Sequence, residues 1–397
     1  MAESFVMVSF EEALSRVVDL NIPLQTEEIP FMEGVSRVLA SDLFSDISMP
    51  PFDKSAMDGY ACRREDLSGE LKIVETIRAG VPPALPVGEG ECSRIMTGAI
   101  IPEGADWVIM VEETELSGSD RVRYLGNVAR SNICRAGEDV KKGDLVLEKN
   151  TLLQTRHIPI LASIGATRLN VFRQPRVAVL ATGSELVEPD AVPGISQIRN
   201  SNAWQMISQL RALGLEPTYG GIAPDDEQVT RKLIAGMTEQ HDLLILSGGV
   251  SMGDFDFVGE VIRDLGFSVL FDKVSIQPGK PTTFARSGDR FIFGLPGNPV
   301  SAYFTFELLV KPFIYKFMNC DWQPESLILL AGVDMTRKRA NRMGWLPVSI
   351  GAGGVVNPLD YHGSAHIYAL RDAVGMISIP IGKEIIKKGE PVDVRLF

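Results

Sequence analysis

The apolar run Leu243-Leu244-Ile245-Leu246 stops at Ser247-Gly248-Gly249, and two acids, Asp254 and Asp256, follow within a few residues. A backbone without Cβ can turn sharply there and let a ligand come close. Alone, the stretch reads equally as a polar tight turn. The same arrangement recurs, however. Arg176 to Ala181 runs into Thr182-Gly183-Ser184-Glu185, Tyr219 to Ala223 into Pro224-Asp225-Asp226, and Phe291 to Leu295 into Pro296-Gly297-Asn298-Pro299. Glycine loops offer backbone N–H groups to an anion, and helix N-termini add partial positive charge. The acids would repel that anion unless a divalent cation lay between them. Magnesium, held by one or two carboxylates and by ligand phosphate, resolves the conflict. The chemistry implied is Mg²⁺-assisted handling of a nucleotide or phosphoanhydride.

Such residues must be brought to one edge, and the intervening segments can do it. Asn202 to Leu213 carries Ala203, Met206, Ile207, Leu210 and Leu213 on one helical stripe and is followed by Gly214, a helix stop. Further helices are expected at Glu227 to Met237, at Val258 to Leu265, and from an Asn298 N-cap and Pro299 through Ile314. Strands alternating with helices at this spacing imply a doubly wound, mostly parallel α/β sheet, whose strand ends converge on one edge. Ahead of it, Ser9 with Glu12 forms a capping box for a first amphipathic helix. Residues 62 to 140 form a β-rich insert, with strands at Leu71 to Val74, Trp107 to Val111 and Val122 to Leu125, and Asp58-Gly59 is expected to turn. After Cys320 the helices cease. Ser326 to Val333, Trp345 to Ile350, Gly375 to Ile381 and Val392 to Leu396 make a small C-terminal β domain. Lys141-Lys142-Gly143-Asp144 and Lys387-Lys388-Gly389-Glu390 read as matching hairpin turns.

Bulk properties narrow the partners. The 397 residues carry a formal charge of -12 and are 45% hydrophobic, with pI near 5.0 and mean hydropathy +0.09. An acidic chain of this kind is expected to bind neither nucleic acid nor a membrane surface, since both need basic patches. No apolar run approaches the ~18 residues of a membrane span, and the first residues lack the form of a secretory signal. A soluble cytoplasmic protein is expected. Cys62, Cys92, Cys134 and Cys320 have spacings of neither a zinc site nor a disulfide framework and are expected to be reduced thiols. The P-loop is absent, and no G-x-G-x-x-G dinucleotide fingerprint follows a strand.

Seven long segments, in order, carry a family resemblance: PPFDKSAMDGYA at 50–61, RIMTGAIIPEGAD at 94–106, RAGEDVKKGD at 135–144, ATGSELVEP at 181–189, LSGGVSMGDFDFV at 246–258, IQPGKPTTFA at 276–285 and GLPGNPVSAYFTF at 294–306. Together they resemble the molybdopterin molybdenumtransferase family, the MoeA-type proteins that include the E domain of gephyrin. The resemblance implies Mg²⁺-assisted insertion of molybdate into adenylylated molybdopterin, with release of AMP. It implies an elongated multidomain chain: a discontinuous N-terminal domain (1–45 with 140–172), a β-rich insert (46–139), an α/β molybdopterin-binding domain (173–320) and a C-terminal β domain (321–397). A homodimer with sites completed across the interface is expected, and the adenylyltransferase of the preceding step is a candidate partner.

By the same resemblance the catalytic residues fall on Asp58, Thr97, Asp139, Glu185, Asp225 and Asp256. Substrate would be held by Thr182, Gly183, Ser247, Gly248, Gly249, Lys280, Pro296, Gly297, Asn298 and Pro299. Glu185 and Asp225 would carry Mg²⁺ or its water shell, while Lys273, Arg342 and Ser364 would receive molybdate. Gln277 departs from the pattern, because many relatives carry a basic residue there. Two other readings remain at this stage. One is a molybdopterin adenylyltransferase, although those enzymes are generally the length of the α/β domain alone; the other is a non-catalytic dimeric scaffold. Tungstate in place of molybdate is excluded by no residue.

Overall fold

A computed structural model describes residues 7–127, 130–249, 257–361 and 363–397. The chain forms two compact units. The first combines residues 1–40, 150–155 and 169–397; the second combines 41–149 and 156–168.

The first unit is built on a six-stranded sheet in the order Thr218–Ala223, Val177–Thr182, Leu243–Ser247, Arg290–Leu295, Pro281–Ser287, Ser268–Lys273. Its first four strands pair in parallel, in the register Val179 to Ile245 to Phe293. Val177–Thr182 and Leu243–Ser247 are buried at every position, which is why they read as unbroken apolar runs rather than alternations. Pro281–Ser287 reverses direction against both its neighbours. That reversal returns its first residue, and the end of Ser268–Lys273, to the edge where the parallel strands end.

Helices cover both faces of the sheet. On one side Phe284, Phe291 and Phe293 meet Phe313, with the Phe284 and Phe293 rings 4.3 Å apart and stacked, and Phe291 and Phe313 edge-on at 4.8 Å. Each such buried ring contributes about 1.5–3 kcal/mol of transfer free energy. The helix Asn202–Ala212 buries Ala203, Met206, Ile207 and Leu210, and Gly214 takes φ +79 behind it, a left-handed stop that suits glycine. The first helix, Phe10–Val18, is capped by Ser9, whose hydroxyl accepts from Glu12 N at 3.0 Å. Among the described residues no helix is long and apolar enough to cross a membrane.

The same unit ends in a small barrel. Met343–Ile350, Val355–Pro358, Ser326–Ala331, Pro391–Leu396 and Gly375–Ile379 pair in that order, and Gly375–Ile379 closes back on Met343–Ile350. Its turn at Lys387 bonds Lys387 N to the Glu390 carboxylate at 3.0 Å.

The second unit contains a six-stranded sheet in the order Trp107–Met110, Gly59–Cys62, Glu91–Ile95, Glu70–Ile77, Arg121–Tyr124, Thr114–Leu116. Here the Lys141 turn repeats the barrel's chemistry, with Lys141 N on the Asp144 carboxylate at 2.9 Å. All four cysteines are free thiols, and Cys62 lies opposite Cys92 in register.

Local expectations need three corrections. Gly59 is a strand residue, not a turn residue: a Cβ there would lie 1.8 Å from Ile109 O, so the close approach of the next strand requires glycine. The helix expected from Pro299 to Ile314 is interrupted by a π-helical segment, Phe306–Val310, and then runs on to Phe317. Asn298 holds the N-cap position, but its side chain makes no cap bond.

Candidate functional site

The carboxyl edge of the parallel sheet opens into a cleft of about 790 Å³. Three strand ends supply its floor: Thr182-Gly183, Ser247-Gly248-Gly249 and, after Leu295, Pro296 to Pro299. Gly248 and Gly249 have φ +89 and +64. A Cβ on Gly248 would sit 2.7 Å from Thr182 O, and one on Gly249 2.8 Å from Thr182 Oγ1. Both glycines are thus required by backbone conformation and by the neighbouring strand. Thr182 is buried between the loops and donates its hydroxyl to Ser247 O at 3.3 Å.

Asn202, the first residue of its helix, holds this floor together. Its Nδ2 donates to Ser247 Oγ at 3.0 Å and to Gly297 O at 2.8 Å, tying two glycine loops from different strands. The preceding Asn200 is buried as well. Its Oδ1 accepts from Ala203 N at 3.2 Å, and its Nδ2 donates to the Tyr219 oxygen at 2.9 Å. Tyr219 in turn donates to Glu188 at 2.5 Å; burial first, then the adjacent Glu188 carboxylate, pushes its phenol well above the usual range. Together these bonds hold the segment Ile198 to Asn202 along one wall of the cleft.

Glu185 and Asp225 both line the cleft. Asp225 accepts from Ser184 N at 3.0 Å through Oδ2, and Asp225 N donates to Ser184 Oγ at 2.9 Å; among the described residues Oδ1 has no hydrogen bond. The adjacent Asp226 does something else: it caps the helix Glu227–Gln240 through Val229 N at 2.9 Å. Asp254 and Asp256 lie outside the described residues.

The structure places the remaining first-unit candidates as follows. Pro296, Gly297, Asn298 and Pro299 line the cleft, and Asn298 donates to Ser364 Oγ at 2.9 Å. Ser364 therefore belongs to this edge. Lys273 and Lys280 bracket the loop beside it: Lys273 pairs in register with Pro281, and Val274 N donates to Lys280 O at 2.9 Å. Arg342 donates to Ile276 O of the same loop at 3.1 Å. Of this loop only Pro281 lines the cleft itself.

In the second unit, Asp58 and Thr97 meet directly. Thr97 donates to Asp58 Oδ1 through both its backbone N and its hydroxyl, each at 2.7 Å. Those two bonds, backbone first, hold the exposed Asp58 carboxyl below its usual range, with Arg94 adding to the effect. Asp139 joins the same loop system through Asp139 N to Met49 O at 3.0 Å. Nearby, Asp53 binds Ala136 N at 2.8 Å and Arg135 at 2.6 Å.

Reading the sequence for site residues missed Arg199, Asn200, Asn202 and Tyr368. Among the described residues Arg199 is the one Lys or Arg lining the cleft; its Nε donates to Ala191 O at 3.1 Å. Tyr368 stands at the rim, 85% exposed. The available signal was the polar run Arg199-Asn200-Ser201-Asn202 directly before a helix N-terminus, where anions bind well.

Known proteins match along the whole of this architecture. Residues 8–165 match the MoeA N-terminal region (domain I and II), 178–316 a probable molybdopterin binding domain, and 332–397 the MoeA C-terminal region (domain IV). A molybdopterin molybdenumtransferase of Staphylococcus epidermidis is 34% identical over 401 residues, covering 98% of this chain and 95% of its own. One from Staphylococcus aureus is 34% identical over 400 residues with the same coverage. The crystal structure of a molybdopterin biosynthesis MoeA protein from Pyrococcus horikoshii OT3 superposes with a TM-score of 0.83 at 29% identity, covering 99% of this chain and 100% of that one. By sequence over its full length, and by fold, this chain belongs to the MoeA family.

Proposed function

We propose that this protein inserts molybdate into adenylylated molybdopterin in a Mg²⁺-dependent reaction that releases AMP. Its family makes it an enzyme of the molybdopterin molybdenumtransferase kind, acting in molybdenum cofactor biosynthesis. The finer reading is carried by one observation: Asn202 clamps two glycine loops at a parallel-sheet edge that also presents Glu185 and Asp225. Gly183 N and Gly248 N already donate to Ala223 O and Leu295 O, each at 3.1 Å. These glycines therefore offer phosphate a close backbone approach rather than those two N–H groups, and carboxylates beside them suit a phosphate that arrives with a cation.

In this reading Thr182, Gly183, Ser247, Gly248, Gly249 and Asp256 hold the pterin phosphate and adenylate, with Pro296 to Pro299 and Lys280 shaping the far side. Lys273, Arg342 and Ser364 receive molybdate. Asp58, Thr97 and Asp139 complete the catalytic set. Asp58 is kept anionic by its two bonds from Thr97, which suits it to orient a cation's water.

Glu185 and Asp225 fit Mg²⁺. Among the described residues no three His, Cys, Asp or Glu side chains are placed to hold a metal ion by themselves. A cation here would take its remaining oxygens from water and ligand phosphate, as Mg²⁺ does. When bound, it would neutralise charge on the departing phosphate.

A homodimer, a cytoplasmic location, a handover from the adenylyltransferase of the preceding step and the four-part division (1–45 with 140–172, 46–139, 173–320, 321–397) belong to the same proposal. Sedimentation and limited proteolysis test the first and last.

The deciding experiment incubates purified protein with adenylylated molybdopterin, Mg²⁺ and molybdate. AMP release that requires molybdate is expected. ATP-dependent adenylylation without molybdate-dependent AMP release would replace this reading with the adenylyltransferase. An Asp256→Ala variant that folds, dimerises and restores cofactor synthesis fully would favour the scaffold. Repeating the assay with tungstate settles metal preference.

A further inference from the structure

Away from the sheet-edge cleft, a second cavity of about 710 Å³ opens beside the first helix, within the same compact unit. Leu14 and Val18 of Phe10–Val18 form an apolar wall, and Pro312 and Trp322 form another. Arg395, from the C-terminal strand Pro391–Leu396, also lines it and is only 9% exposed.

Arg395 is unusual for a buried cation. Among the described residues its guanidinium makes one hydrogen bond, from Nη2 to Glu307 O at 2.8 Å. It forms no ion pair there: the Glu307 carboxylate is already engaged by Lys311 Nζ and by Gln209 Nε2, each at 2.8 Å. The guanidinium carbon lies 5.5 Å from the centre of the Trp322 ring, whose stacking partner is Tyr315 at 5.0 Å. Burying a guanidinium is costly unless its donors find acceptors, and burial pulls Arg395 down to about 10. Arg395 lines the cavity, and the donors of its planar fork not used on Glu307 O match a carboxylate.

The rim decides how much charge the ligand carries. Lys316 and Arg395 are offset by Asp19 and Asp321, so the lining is neutral overall, which disfavours a dianion such as phosphate and leaves the local charge of Arg395 to meet a single carboxylate. The volume lies within the roughly 300–1,000 Å³ of small-molecule sites. We propose that this cavity binds a small organic monocarboxylate, its carboxylate on Arg395 and its apolar body against Leu14, Val18 and Trp322. The site is independent of molybdenum transfer.

Hexanoate is the probe, titrated into the full-length protein by calorimetry and by tryptophan fluorescence, with hexan-1-ol, hexylamine and inorganic phosphate as comparisons. Saturable binding of hexanoate is expected, at least about tenfold tighter than the alcohol, because a hydrogen bond to a charged group is at stake. Arg395→Met should weaken hexanoate by about tenfold or more while leaving the alcohol unchanged. Asp321→Lys, on an exposed residue, should tighten hexanoate about twofold to fivefold and serves even if the Arg395 variant fails to fold. Trp322→Phe should abolish the fluorescence change but retain the heat. The proposal is overturned if hexanoate and hexan-1-ol bind equally, if phosphate binds more tightly than hexanoate, if folded Arg395→Met binds as wild type, or if folded wild type shows no saturable hexanoate binding.

Discussion

The sheet-edge cleft and the Asp58 loops are built by opposite means. In the cleft, backbone does most of the positioning: two glycines at positive φ, one buried amide bridging Ser247 and Gly297, and strands buried on both faces. Around Asp58 side-chain carboxylates do the positioning, Asp58 accepting from Thr97 N and hydroxyl and Asp53 from Ala136 N and Arg135. A backbone-built site is stiff, because moving it means moving a strand. A side-chain-built site keeps its fold when a member is lost and gives up only its chemistry.

That contrast can be broken or sharpened by substitution. The largest effect is expected from Gly248→Val. A non-glycine residue at that φ costs about 1–3 kcal/mol, and its Cβ would collide with Thr182 O. Molybdate-dependent AMP release should fall at least about 100-fold. Activity near wild type would show that the loop does not place the phosphate.

Asp242→Asn should affect stability and spare the chemistry. Asp242 sits at the other end of the strand Leu243–Ser247. Burial would raise its pKa, but bonds from Arg173 and from Arg176 outweigh that and bring it to about 2. Because this folded pKa lies below the unfolded value of about 3.9, the stabilisation is complete above about pH 4 and is lost as pH falls toward about 2. Urea unfolding of the variant should show a loss of about 2–3 kcal/mol at neutral pH and a shallower fall through that acid window, where Asp53 and Asp58 still contribute. Turnover per folded molecule should be unchanged.

Asn202→Ala removes the bridge between the loops. A loss of about 1–2 kcal/mol in stability and about tenfold in turnover is expected, measured by urea unfolding and AMP release. A variant that loses only stability would make Asn202 a core residue and no more. The smallest structural effect belongs to Thr97→Val. It should leave the melting temperature unchanged yet raise the pKa of Asp58, read from its carboxyl ¹³C shift, since both bonds that lower it come from Thr97 and one is lost. An unchanged pKa would mean that the backbone bond alone holds Asp58.

Legibility followed the same divide. Val177–Thr182 and Leu243–Ser247 were readable because burial on both faces writes a continuous apolar run, and the glycines after them because φ above zero excludes most other residues. The Ser9 cap was readable because its partner is three residues away. Asn202 was not, because its partners lie 45 and 95 positions off and an asparagine opening a helix has an ordinary local explanation. Gly59 misled for the same reason: Asp-Gly is a turn pair locally, and only Ile109 on a neighbouring strand demands glycine there. Arg199 was hidden by a short strand that is exposed and carries no periodicity. Family resemblance named Asp58 and Thr97 one by one, but their pairing was not legible, since a lone Thr-Gly pair says nothing about an aspartate 39 positions away.

The first compact unit is discontinuous, and this sets an order of events on the ribosome. Val8 N bonds Lys273 O and Ser275 N bonds Val8 O, so the N-terminal segment docks only after more than two-thirds of the chain exists. At about 5–20 residues per second the first helix waits roughly 15–50 s with Ala13 and Val17 uncovered. The strands of the second unit, by contrast, lie wholly between Leu43 and Leu147 and can pair during that interval. Synthesis rate and chaperone supply should therefore limit the yield of the first unit more than that of the second.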